Sequence, residues 1–302
     1  MTDDTGNDEF ASLGEVAAEL GLDQAAVRPV ARRSVEVDGH QQVSVLVWGE
    51  AEPELVFLHG GGQNAHTWDL VLTALGRPAI AIDLPGHGHS SWREDRDYGP
   101  VTNALAVAQV ISELAPTAVG VIGMSLGGLT LIRVAATRPE LVRHAVIVDV
   151  TPGSTAAHAR MNRSERGTTQ LISEHRSFAS LDEVTEMAVQ ASPRRPASAV
   201  RRGVRHNTRQ LPDRTWTWRY DPQIGAVQAK HAALWPDLPR LSMPVMLVRG
   251  GDSAFVTQED LAAMTTLLPA MRVEVVPGAG HAVQSDQPMA LAALISDFLP
   301  AS

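Results

Sequence analysis

Residues 123–127 read Gly-Met-Ser-Leu-Gly, a G-x-S-x-G pentapeptide. The apolar run Ala118–Ile122 precedes it and the helix-like Leu129–Ala136 follows. A strand, a sharp turn and a helix in that order hold a serine hydroxyl exposed at the strand's C-terminal end. The turn is so tight that small residues must stand two places either side, where Gly123 and Gly127 stand. Ser125 is therefore the expected nucleophile.

A hydroxyl is a poor nucleophile until a base takes its proton. Among 11 histidines, His281 is placed best. It ends Gly278-Ala279-Gly280-His281, between the last predicted strand and the last predicted helix, where a loop residue can reach the turn. The imidazole in turn needs a carboxylate to fix its tautomer. Asp252 follows the run Val245–Val248 in Arg249-Gly250-Gly251-Asp252 and is the expected acid. Asp149, at the end of Ala145–Val148, is the alternative, although it could instead hydrogen-bond the loop at Thr151-Pro152.

An oxyanion formed on attack needs N–H donors already aimed at it. His59-Gly60-Gly61-Gly62 follows the run Glu54–Leu58, and its glycines let backbone approach a substrate closely. Gly61 N–H and Leu126 N–H are the expected donors. Met124 flanks the nucleophile as apolar pocket wall. Trp216, Trp218 and Tyr220 alternate, so in an extended stretch they share one face. The two tryptophans either line an acyl pocket or anchor the segment they belong to. His87 and His89 have an H-x-H spacing but no further partner at ligand spacing, so a tight Gly-rich loop is expected there and no metal site. His66, His144, His158, His175, His206 and His231 read as surface or packing residues, and His40 as part of a hairpin turn.

These residues need a scaffold, and the chain is long enough to supply one. It has 302 residues, 44% hydrophobic and 20% charged, an ordinary globular composition. With no Cys, disulfides, Cys-ligated zinc, iron–sulfur clusters and thiol catalysis are excluded. A net charge of -9 speaks against nucleic acid as partner. Leu114 to Ile132 carries no charge, but its glycines and Pro116 make it a strand, a turn and a buried helix rather than a membrane span. The start Met1–Glu9 is acidic, unlike a secretory signal, so a cytoplasmic location is expected.

Residues 11–21 suggest a short helix, and Arg33–Val37 and Val43–Trp48 a hairpin around Asp38-Gly39. Continuous apolar runs at Glu54–Leu58, Ala79–Ile82, Ala118–Ile122, Ala145–Val148, Val245–Val248 and Val273–Val276 read as strands buried on both faces. Helical patterns lie between them at about 66–75, 102–114, 126–137, 258–268 and 286–299. Strand–helix alternation implies an α/β fold, a mostly parallel sheet flanked by helices. The alternation breaks from Ser154 to Asp221, a stretch with 12 Arg and 7 acidic residues in an otherwise acidic chain. It reads as an insertion over one edge of the sheet, either attracting an anionic substrate or presenting a solvated Arg-rich surface.

Taken together, the motifs resemble those of the α/β-hydrolase fold, and most closely mycobacterial-type serine esterases. The resemblance rests on Leu58–Asp69, Asp83–Asp95, Gly123–Thr130, Trp216–Asp221 and Ser285–Pro288, with Asp252 and His281, and runs from about residue 33 to the C-terminus. The order Ser125, Asp252, His281 suits that chemistry. The resemblance implies a helical cap after the sixth strand and no cofactor. It also implies hydrolysis of a small-molecule ester of short to medium acyl chain through an acyl-enzyme. The organisation expected is a 1–30 extension, a core of 31–153 and 226–302, and a cap of 154–225. Ser125 argues against epoxide hydrolases and haloalkane dehalogenases, which use Asp. Carbon–carbon bond hydrolases usually carry Trp after the catalytic His, where this chain has Ala282. Thioesterase, lactonase and slow-turnover ligand-binding or signalling roles stay open, as does oligomeric state.

Overall fold

A computed structural model describes residues 9–38, 40–162, 166, 169–172 and 177–301. The expectations for Met1–Asp8, for Gly39 in the hairpin turn and for His175 lie outside these residues. The strands are β1 Val30–Val37, β2 Gln41–Trp48, β3 Leu55–Leu58, β4 Ala79–Ile82, β5 Gly120–Met124, β6 Ala145–Val148, β7 Thr208–Gln210, β8 Trp216–Trp218, β9 Val245–Gly250 and β10 Arg272–Val276. Eight form one sheet in the order β1-β2-β4-β3-β5-β6-β9-β10, with β7 and β8 a separate ribbon. β2 pairs antiparallel with β1 and β4, and every pairing from β4 to β10 is parallel.

Every residue of β3, β4, β5 and β6 is buried, because helices cover both faces. Side chains alternate between two apolar cores. Val56, Leu58, Ile80 and Ile82 face one, with helices α3 Pro100–Leu114 and α4 Leu126–Thr137. Leu55, Phe57, Ala79 and Ala81 face the other, with α1 Leu13–Glu19 and α2 Asp69–Leu75. Each fully buried Leu, Ile or Phe contributes about 1.5–3 kcal/mol relative to exposure, so these two layers hold the sheet. The helix expected at about 286–299 is present, starting two residues later. A short turn, Val283–Asp286, precedes the helix Pro288–Phe298, with Pro288 at its first position, where a missing N–H costs least. Among the described residues no helix is long and apolar enough to cross a membrane.

Between β6 and β9 the chain leaves the sheet. Ser154–Arg160 forms α5, Leu181–Gln190 α6 and Ala197–Asn207 α7. The ribbon β7–β8 follows, a feature too short and mixed in polarity to show as a strand pattern. Phe178, Val184, Val200, Val204, Trp218 and Tyr220 make a small core of their own. Several bonds fasten this segment to the sheet's C-terminal edge. Asn207 Nδ2 donates to Gly62 O at 2.6 Å, Arg195 pairs with Asp286 at 2.6 Å, and Asp221 N donates to Gly86 O at 2.8 Å.

Asp83, fully buried at the end of β4, ties the loops together. Its carboxylate accepts from Ala65 N at 2.7 Å, His89 N at 3.0 Å and Arg32 at 2.8 Å. Burial alone would raise its pKa, but Arg32 and the amide donors hold it below the usual range. Asp83→Ala leaves Arg32 and two buried N–H groups without this partner. A loss of about 3–5 kcal/mol is expected in urea unfolding.

Candidate active site

Ser125 sits at φ 51°, ψ −117°, a conformation that L-residues rarely adopt. The turn is tight because backbones touch. A Cβ on Gly123 would lie 2.4 Å from Gly127 O, and one on Gly127 2.3 Å from Leu58 O. The strain is held from both sides. Ser125 N donates to Val148 O at 3.1 Å in the neighbouring strand, and Ser125 O accepts from Leu129 N at 3.0 Å in the first turn of α4.

His281 Nε2 lies 3.1 Å from Ser125 Oγ, and its Nδ1 lies 2.8 Å from Asp149 Oδ2. The Phe255 ring stacks on the imidazole at 3.5 Å and 9°. Asp149 is fully buried and, like Ser125, has φ 51°. Its Oδ1 accepts from Gly250 N at 3.0 Å, and its Oδ2 also accepts from the Ser253 hydroxyl. The carboxylate against His281 is thus Asp149, the alternative, and not the expected Asp252. β9 runs on to Gly250, so Asp252 falls beyond the sheet edge. Its N–H donates to Ala279 O at 2.9 Å, and its half-exposed side chain lies 3.4 Å from Arg194. Ser253 and Phe255, which brace the Asp149–His281 pair, carry no motif by which the sequence could have singled them out.

The Gly60–Gly62 loop lies against the nucleophile: a Cβ on Gly60 would be 3.3 Å from Ser125 Cβ. Buried His59 holds this loop. Its Nε2 accepts from Leu84 N at 2.9 Å, which leaves the proton on Nδ1 to donate to Gly60 O at 2.8 Å. Burial lowers its pKa and keeps it neutral. Gly60 N–H goes to Gln63 Oε1 at 3.0 Å. Among the described residues, no protein acceptor takes Gly61 N–H or Leu126 N–H. His87, also neutral, has its pKa pushed to about 3 by burial and packs edge-on to His59.

A cavity of about 720 Å³ opens between the sheet edge and the 154–225 segment, and Ser125 and His281 border it. Met124 and Trp218 line it, whereas Trp216 does not. Trp216 instead packs on the segment's own core, while Trp218 stacks against Tyr220 at 5.9 Å. His66 and His206 build a charged group on the cavity wall. The His66 ring lies 2.9 Å from Asp69 and 3.0 Å from Glu9, and stacks on His206 at 3.7 Å. Burial disfavours the charge on His66, yet the two carboxylates outweigh it and hold its pKa at about 9. Burial, then the His66 charge, pushes His206 down to about 2. His66, Asp69 and His206 bring ligand atoms within 4.8 Å of one another and are the residues that could hold a metal ion, but the His66 proton already balances their charge.

This sheet order, with a serine elbow after β5, an aspartate after β6 and a histidine after β10, defines a class. Residues 55–294 match the Alpha/beta hydrolase family, and the chain belongs to it. It is similar to Esterase Rv0045c of Mycobacterium tuberculosis, 46% identical over 304 residues covering 99% of each chain. A solved structure of that esterase, from work on its transition-metal inhibition, superposes with a TM-score of 0.85 at 46% identity, covering 97% of this chain and 99% of that one. The chain is also 29% identical to 2-(acetamidomethylene)succinate hydrolase of Mesorhizobium japonicum, over 82% of this chain and 88% of that protein.

The His66 group gives a pH signature. Its folded pKa lies above the ordinary 6.5, so its stabilisation is fully present below about pH 6.5 and is lost as pH rises through about 9. The melting temperature should therefore fall between pH 7 and pH 10. The fall should be shallower in His66→Gln, as followed by circular dichroism.

Proposed function

We propose that the protein is a serine esterase acting on small esters of short to medium acyl chain. The observation that carries this reading is the hydrogen-bonded line Ser125–His281–Asp149 at the mouth of the cavity. In this mechanism His281 Nε2 takes the Ser125 proton as Oγ attacks the ester carbonyl. Asp149 holds Nδ1–H and balances the imidazolium. Gly61 and Leu126 N–H receive the oxyanion. The imidazolium then protonates the leaving alcohol, and water enters by the same route to release the acid. Residues 154–225 act as the cap, between the core parts 31–153 and 226–302, with 1–30 an N-terminal extension. A 720 Å³ cavity suits a small-molecule ester, with the acyl chain limited by Met124 and Trp218. The likeness to a protein named as an esterase supports the reaction class.

A fluorophosphonate probe should label the wild type and not Ser125→Ala; labelling at another serine overturns the assignment. p-Nitrophenyl esters with about two to eight acyl carbons should be preferred, since a methylene beyond a filled pocket adds little and then clashes. Asp149→Asn should lower kcat about 10³–10⁴-fold with little change in KM, while Asp252→Asn stays within about threefold of wild type. A loss confined to Asp252→Asn would restore Asp252 as the acid.

A further inference from the structure

Among the described residues, one charged side chain on the cavity wall has no partner of opposite charge. Besides the protonated His66, four charged side chains border the cavity: Asp69, Arg166, Arg195 and Arg202. Asp69 is paired with His66 at 2.9 Å, Arg195 with Asp286 at 2.6 Å and Arg202 with Glu19 at 2.5 Å. Arg166 has no carboxylate partner among the described residues, and its Nε is buried there without a hydrogen-bond acceptor. A guanidinium presents a planar fork of donors matched to a carboxylate, and here the Nε–H of that fork is buried at the cavity wall without an acceptor.

The surroundings of Arg166 point the same way. Its carbonyl accepts from Thr169 Oγ1 at 2.7 Å, and that hydroxyl lies 3.3 Å from His158 Nε2. His158 packs on Phe255 with ring centroids 5.5 Å apart, and Phe255 stacks on His281 at 3.5 Å. The Arg166 backbone therefore lies on the His281 side of the cavity, beyond Thr169 and the His158 and Phe255 rings, and its side chain borders the cavity. Among the described residues, the two histidines on this part of the wall are held neutral. Burial and then the Arg166 charge push His158 down, and burial pushes His231, bonded to Thr155, to about 4. No acidic side chain among the described residues borders this part of the cavity.

We propose that Arg166 forms an anion subsite, and that the ester hydrolysed carries a carboxylate remote from the scissile bond, as in a half-ester of a medium-length dicarboxylic acid. The proposal rests on the esterase reading above and names its substrate class. Arg166 binds the far carboxylate in bidentate fashion, and the spacer lies along the Phe255 and His158 rings. The near carbonyl is then presented to Ser125. A neutral ester of equal length leaves the fork without its acceptor.

The test compares mono-p-nitrophenyl adipate and suberate with p-nitrophenyl hexanoate and octanoate. The wild type should favour the charged member of each pair at least tenfold in kcat/KM, mostly through KM. Added salt should reduce that preference. In Arg166→Gln the ratio should fall to about one or below, and Arg166→Lys should keep part of it. Free adipate and suberate should raise the melting temperature of the wild type and not that of Arg166→Gln, a readout that needs no turnover. Preference of the wild type for the neutral esters, or a charged preference that survives in Arg166→Gln, overturns the subsite while leaving the esterase reading intact. Failure of the neutral series together with failure of fluorophosphonate labelling counts against the esterase reading alone, and the thermal-shift arm then decides the subsite.

Discussion

Helix α4 passes so close to the end of β3 that no side-chain atom fits between them, and the arrangement of the site follows from that contact. A Cβ at position 127 would sit inside the Leu58 carbonyl. The chain can leave β5 and enter α4 only by turning sharply at Ser125, which takes a left-handed backbone to do so. One strand over, Asp149 leaves β6 with the same positive φ. The bond from Ser125 N to Val148 O locks the two strand ends in register. The hydroxyl and the carboxylate are thus placed by the sheet itself, and a single imidazole from the loop after β10 spans the gap.

Much of this was legible in the sequence. The buried strands announced themselves as unbroken apolar runs, because residues covered on both faces have no reason to alternate. Ser125 was legible through Gly123 and Gly127, whose absent side chains are the trace of the backbone contact. His281 was legible from its place between the last strand and the last helix. The acid was not. Asp149 and Asp252 both follow buried strands, both precede His281 in the chain, and nothing in composition ranks them. What separates them is that β9 extends to Gly250, which carries Asp252 past the edge and turns Gly250 N–H toward Asp149. The ribbon β7–β8 escaped because three-residue strands have no periodicity to detect. The role of Trp216 and Trp218 split for a related reason: both lie on one face, but only Trp218 is reached by the cavity.

Polar groups around the cavity are arranged before any ligand arrives. Glu9 reaches across from the N-terminal segment to both Arg32 and His66, and those cations hold its carboxyl well below the usual range despite burial. Arg32 continues to Asp83, which fixes the loop leading into the 3₁₀ turn Ala65–Trp68. A chain of alternating charges therefore links residue 9 to the wall of the site. In such low-dielectric surroundings each member is costly to leave alone, so the chain persists as a unit.

The fastenings of the 154–225 segment fall on particular loops. Asn207 grips Gly62, next to Gly61, while Asp286 joins Arg195 on one side to Gly280 N–H, next to His281, on the other. The two grips hold the turn that carries Gly61 and the turn that carries His281. Lifting this segment far enough to break them slackens both turns in the same movement. Opening over the cavity and the placement of Gly61 and His281 are therefore one mechanical coordinate: the segment cannot lift away from the sheet edge without loosening the two turns beside Ser125.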